Sequence, residues 1–344
     1  MADSTGASKG KLWSLALTIP ELTILILLIA GGYILMAIFP RVHGTEVLTV
    51  HQMWWLIVAS FLISTGIAAL AVIGGIGGGV IFTPIMLGFT HIDSLVVRAT
   101  GLVVAMFSGL ISTGPLMRSR LADLKLVFYC GVPITIGALT GSTAAIYLHK
   151  YMGPRGDGFV RLSLGLLMLM IAYFLFSGGS NTEYPQPKKI DAAAKKLGLT
   201  GEYWEASLGK VVKYHLVRAI PGAIIFIGLG FLGGFFGMGG GAFLTATLNL
   251  VMMAPVKVAA ASSGVLLSIS NATAIWTYIT YGALIAVVAA PWMLGQVVGG
   301  ILGAQLLIKI RAGFVRQILI AILLISSVKL LLRGLQGAFG ITLL

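Results

Sequence analysis

The chain alternates long apolar runs with short polar stretches. Leu22–Phe39, Met53–Ile73 and Ile318–Leu332 approach or exceed the roughly 20 residues a helix needs to cross a bilayer. After the first run, the pattern predicts five apolar segments at 53–73, 79–90, 95–117, 125–148 and 161–177. Five more follow at 214–236, 241–254, 257–280, 283–308 and 316–333. The second segment of each set is short, which suggests a half-helix or one arm of a re-entrant hairpin. Immediately before each short segment stands a glycine cluster, Gly75-Ile76-Gly77-Gly78-Gly79 and Gly237-Met238-Gly239-Gly240-Gly241. Glycine costs a helix interior about 1 kcal/mol against alanine, so these clusters predict helix breaks. Inside a membrane, a break is tolerated only where the freed backbone groups line protein or a watery cavity.

The two sets match in more than their glycines. Gly158-Phe159-Val160-Arg161 is identical to Gly313-Phe314-Val315-Arg316, and Pro133, Gly137 and Gly141 recur with the spacing of Pro291, Gly295 and Gly299. Arg98-Ala99-Thr100-Gly101 stands opposite Ala261-Ser262-Ser263-Gly264. Matched blocks stay in order while their offset drifts only from 162 (Gly75 to Gly237) to 155 (Gly158 to Gly313). The expected organisation is a polar amino terminus at 1–19, an extra transmembrane helix at 20–39, repeat 1 at 53–178, a polar linker at 179–213 and repeat 2 at 214–335. An odd number of crossings per repeat makes the repeats inverted, and matched interrupted segments in such halves point to a transporter's binding site. The fold class is therefore an all-α polytopic membrane protein built from two inverted repeats with glycine-broken or re-entrant helices.

Composition agrees: 58% of residues are hydrophobic, 10% are charged, and the mean hydropathy is +1.02. Met1–Ile19 is too weakly apolar for a cleaved signal, so the first apolar run reads as an uncleaved helix. The net charge of +13 does not indicate nucleic acid, because the lysines and arginines sit mostly between apolar runs, where they set topology and meet lipid headgroups. Loop charges place the amino terminus in the cytoplasm together with Arg118, Arg120, Lys125 and the lysines of 179–213. The stretch with Lys150, Arg155 and Arg161 disagrees. Within the linker, Ile190–Leu197 reads as a short amphipathic helix on the membrane surface.

The glycine clusters lack the strand–turn–helix setting of a dinucleotide fingerprint and the Lys-Ser/Thr of a phosphate loop. No cofactor, metal or catalytic residue is expected. The single cysteine, Cys130, excludes a disulfide framework, and the five histidines show neither metal-ligand spacing nor a buried proton relay. Isolated glycines such as Gly137, Gly141, Gly165, Gly299 and Gly303 are expected to serve close helix packing.

Backbone N–H groups at the two breaks form concave donor sites suited to an anion. Candidate binding residues are Gly77, Gly78, Gly79, Thr83, Thr100 and Ser108 in the first half. In the second they are Gly239, Gly240, Gly241, Thr245, Ser262, Ser263 and Asn271, with Asn249 and Ser270 nearby. No aspartate or glutamate stands near either break. Arg98 either meets the anion or snorkels to the interface; Lys257 holds a similar position. Gln296 and Gln305 either line the pathway or hydrogen-bond between helices.

Taken together, these residues resemble the TauE/SafE family of sulfite and organosulfonate exporters over 53–335. The family's GxGGG followed by proline is present as Gly75–Gly79 with Pro84, and its alanine–small–Thr/Ser element as Arg98-Ala99-Thr100-Gly101 and Ala260-Ala261-Ser262-Ser263. Two positions depart from the pattern, Ala246 in place of proline and Gly101 in place of serine. The resemblance implies a secondary transporter of the plasma (inner) membrane, exporting sulfite or a small organosulfonate by alternating access between the repeats. Its partners are the small anion and membrane lipids, with no nucleic acid, and a homo-oligomer is compatible with it. An anion channel of the same fold, or an importer, stays open as an alternative.

Overall fold

The structure, a computed structural model, describes residues 50–74, 77–90, 92–118, 121–177, 185, 191–205, 209–307 and 312–340. The expected segments at 1–19 and 20–39, and Gly75-Ile76 of the first cluster, lie outside the described residues.

The chain forms α1 (Val50–Gly74), α2 (Gly78–Phe89), α3 (Ser94–Arg118) and α4 (Leu124–Ser177), then α5 (Ala192–Lys196) and a hairpin of β1 (Thr200–Glu205) and β2 (Lys210–His215). There follow α6 (Ala219–Phe236), α7 (Gly241–Ala246) with a π-helical turn at Thr247–Val251, α8 (Val256–Thr280), α9 (Ala286–Leu307) and α10 (Ala312–Phe339). Six of these helices are long and apolar enough to cross a membrane. The protein is a polytopic, predominantly helical membrane protein. At 1.5 Å per residue, the 54 residues of α4 exceed two bilayer thicknesses if straight. It instead turns at Gly153 (φ 51°), followed by Pro154, and so supplies both segments expected at 125–148 and 161–177.

The pairing of helices is reciprocal. α1 packs along α9, and the first arm of α4 packs along α6, so each half's first helix lies against the other half's fourth segment. α3 faces α8, and the second arm of α4 faces α10. Small residues permit these crossings. A Cβ on Gly137 or Gly141 would meet the Ile227 or Phe231 carbonyl of α6; one on Gly295 or Gly299 would meet Phe61, Ser64 or Thr65 of α1. Gly165 packs against Leu331 in the same way. These are the close crossings expected of isolated glycines, where van der Waals contact replaces the absent hydrophobic drive between helices.

α3 and α8 occupy the centre. The most apolar stretch of α3 is 72% buried and α8 is 67% buried, against 22% for α1 and 33% for α10. The peripheral helices present residues such as Trp54, Trp55, Leu62 and Phe176 outward. The sequence pattern did not lead us to expect the antiparallel hairpin, which pairs Thr200 with His215 through Glu205 with Lys210. It caps one end of the helical body.

Candidate functional site

Both glycine clusters fall where a helix is interrupted, and in each a described glycine takes a positive φ. α6 stops at Phe236, where Gly237 takes a left-handed conformation (φ 66°) and its N–H donates to the Gly233 carbonyl at 2.9 Å. Gly239 is also left-handed (φ 64°), and the chain restarts as α7 at Gly241. In the first half, Gly77 (φ 82°) caps the start of α2. A residue with a Cβ is strained in this region of backbone space, so glycine is needed at each reversal.

The two breaks open onto one cavity of about 370 Å³. Gly77 from the first break and Gly241 from the second both line it, with Ser108 of α3 and Thr245, Lys257 and Ser263. Apolar positions Ala71, Leu121, Ala261 and Leu267 complete its walls. Among the described residues no aspartate or glutamate lines it. The hydroxyls are held in place. Ser108 Oγ accepts from Gly78 N at 3.3 Å, Thr245 Oγ1 donates to Gly241 O at 3.1 Å, and the Thr245 and Ser263 hydroxyls lie 2.7 Å apart. Of the predicted residues, Gly77, Ser108, Gly241, Thr245 and Ser263 therefore come together around the cavity.

The others support it from behind. Thr83, fully buried, donates to the Gly237 carbonyl at 2.6 Å, so a threonine of the first half holds the glycine break of the second. Gly101 stands where the resemblance called for serine because a Cβ there would meet both Thr83 Oγ1 and Gly237 O. Gly79 is pressed against the Met238 carbonyl, whereas a Cβ on Gly240 would enter open space. Ser262 accepts from Asp123 N at 3.1 Å and is thereby tied to the α3–α4 connection. Asn249 donates to Ala254 O at 2.8 Å. Gln296 takes the interhelical role, donating to Ser64 O and Oγ from a fully buried position; the Gln305 side chain lies outside the described residues. Asn271 is 1% exposed, beside Gly239, and neither its amide oxygen nor its nitrogen has a hydrogen-bond partner among the described residues. Thr100 Oγ1 and Gln296 Oε1 share that condition. Each such group costs about 1–3 kcal/mol.

Arg98 neither lines the cavity nor snorkels. It is fully buried, donates from Nε to Ser94 O and from Nη1 to Phe235 O, both at 3.2 Å, and lies 3.7 Å from Asp157. Asp157 also sits 3.2 Å from His149 Nδ1. The sequence reading did not pair these two residues; the turn at Gly153 brings His149 and Asp157, eight positions apart, into contact. The isolated Asp157 in an otherwise basic stretch was the available signal.

Lys257 is the cation of the cavity wall. Its Nζ contacts Glu205 Oε1 at 2.5 Å, and the Glu205 side chain is buried. Glu205 ends β1, so the hairpin lays a carboxylate on the cavity's lysine. Tyr214 of β2 anchors the hairpin by donating to Asp123 Oδ2 at 2.7 Å; burial and then the Asp123 charge push the phenol well above its ordinary value. Asp123 Oδ1 in turn accepts from Lys125 N and Leu126 N at the start of α4. Among the described residues no cluster of three or more His, Cys, Asp or Glu side chains could hold a metal ion.

The sulfite exporter TauE/SafE family profile matches residues 6–174 and 60–330. The "Probable membrane transporter protein YunE" of Bacillus subtilis (strain 168) is 26% identical over 270 residues, covering 76% of this chain and 92% of the relative. No solved structure matches the chain. With its helices, breaks and family profile in agreement over most of its length, the chain belongs to the TauE/SafE family of membrane transporters.

Proposed function

We propose that the protein exports sulfite or a small organosulfonate across the cell membrane as a secondary carrier, binding the anion in the cavity where the two glycine breaks meet. The observation that carries this reading is that shared cavity. Gly77 and Gly241, from opposite halves, face the same space beside three hydroxyls and one lysine, with no lining carboxylate among the described residues. A tetrahedral or pyramidal oxyanion calls for several convergent donors and little acceptor competition. The Asn271 amide, without a hydrogen-bond partner among the described residues, lies beside Gly239 of the second break.

Reciprocal packing of α1 on α9 and α4 on α6 supports two halves in inverted relation, which rock against each other around the cavity. The cavity opens beside the α3–α4 connection and the first turn of α8. We assign this end, with the amino terminus, to the cytoplasm. An inside-negative potential favours anion efflux by about 2.3 kcal/mol per charge per 100 mV. The test is efflux from proteoliposomes loaded with sulfite, taurine, sulfoacetate or sulfate. Saturable efflux identifies a carrier; unsaturable single-channel currents would replace it with a pore.

A further inference from the structure

We propose that His149, Asp157 and Arg98 form a proton-binding site that controls access at the end of the transporter away from the cavity. The inference rests on the transporter reading above but concerns different residues. Arg98 lies ten residues before Ser108 on α3, about 15 Å along the helix from the cavity.

At that end one carboxylate serves two partners. Asp157 Oδ1 is 3.7 Å from Arg98 Nη2 and 3.2 Å from His149 Nδ1. The Arg98 side chain is 0% exposed and Asp157 12%, while His149 is 25% exposed. Ionisable groups enclosed within a membrane bundle are costly and mark ion pathways or proton relays. The triad also spans every piece that must move. His149 and Asp157 flank the turn at Gly153, joining the two arms of α4. Arg98 ties them to α3 and, through Phe235 O, to the last turn of α6 in the other half. The Arg98 backbone packs directly on Gly237, the first residue of the second break.

The surrounding charges favour a switch. Arg161 of α4 lies in electrostatic reach of Asp157, Arg98, Arg333 of α10 and Asp93 before α3, and its Nε is buried with no hydrogen-bond partner among the described residues. Lys150 and Arg155 are exposed on α4, and Lys329 lies on α10 near Gly88. Tyr278 of α8 donates to Gly234 O at 3.0 Å. α2, α6 and α9 contain no ionisable side chain. With His149 neutral, Asp157 balances Arg98. A proton on the imidazole creates a second cation at shorter range, draws Asp157 across the α4 turn and loosens the tie from Arg98 to α6. Histidine is suited to this near neutral pH.

The test uses the full chain in proteoliposomes. Leu95→Cys places a reporter thiol on buried α3 beside the triad. Its reaction with a charged maleimide is compared at about pH 5.5 and about pH 8. Trp204→Cys, exposed on the hairpin, supplies the normalising rate so that thiolate chemistry cancels. Normalised labelling should rise several-fold at acid pH, and His149→Gln should abolish that rise. Asp157→Asn should label fast at both values. A rise retained in His149→Gln, or none in the unaltered triad, overturns the proposal even if Asp157→Asn fails to fold. No anion is required for labelling, so the two readings fail separately. Labelling as expected with no sulfite flux removes the substrate assignment and leaves the proton site. Flux with pH-independent labelling does the reverse.

Discussion

At single positions, the glycines of one motif do different work. Gly79 abuts the Met238 carbonyl, while a Cβ on Gly240 meets nothing within 4 Å. Gly79→Ala should therefore destabilise by roughly 1–3 kcal/mol through overpacking, and Gly240→Ala should stay within about 0.5 kcal/mol; thermal unfolding in detergent separates them. Equal losses would mean that the breaks are held by conformation alone. The lysine is the other decisive position. Lys257→Gln should raise KM for the transported anion by about tenfold or more, since a charge-assisted hydrogen bond contributes about 1.5–3 kcal/mol. Glu205→Gln should lower KM several-fold by removing the carboxylate that competes with the anion. An unchanged KM in both variants would place the substrate elsewhere.

At the scale of elements, the described part of the linker, 191–205 and 209–213, forms a cap. Asp191 accepts from Ala194 N in α5 and from Arg218 N and Ala219 N at the start of α6, at 3.3, 2.7 and 3.3 Å. Burial pushes its carboxyl upward, but these backbone donors outweigh burial and hold it below the usual carboxylate range. The stabilisation is thus present above the unfolded-state value and disappears as pH falls through the lower folded one. Asp191→Ala should cost about 1 kcal/mol at neutral pH, and the difference in Tm from the parent should vanish in acid. Much of this region was legible. Ile190–Leu197 announced α5, which forms at Ala192–Lys196. The hairpin was not read, although Tyr203 and Trp204 opposite Val211 and Val212 form a β-type pairing, because lysines and prolines dominated the segment. The apolar runs marked the helices well, since a bilayer imposes length and composition. They carried no information on which hydroxyls would face the cavity. Thr83 and Thr245 occupy matching positions, yet one clamps the opposite break and the other lines the site.

For the whole molecule, the reciprocal contacts matter more than any single helix. Because α1 leans on α9 and α6 on α4, the interface between the two halves is built from helices of both. The cavity at one end and the Arg98–Asp157–His149 cluster at the other are linked through α3 and the Gly237 break. The meeting of both breaks at one cavity follows the expectation drawn from two glycine clusters that each interrupt a membrane-length run. The sequence reading missed the His149–Asp157 pair because that contact depends on the turn at Gly153 within the polar stretch between two expected segments, and the apolar pattern does not specify the geometry of that turn. If the shared cavity carries a sulfur oxyanion, sulfite leaves proteoliposomes under an imposed inside-negative potential by saturable efflux above that of protein-free vesicles, and this efflux is weakened in Lys257→Gln. Absence of any sulfite or sulfonate movement from vesicles holding correctly inserted protein would contradict that role for the cavity.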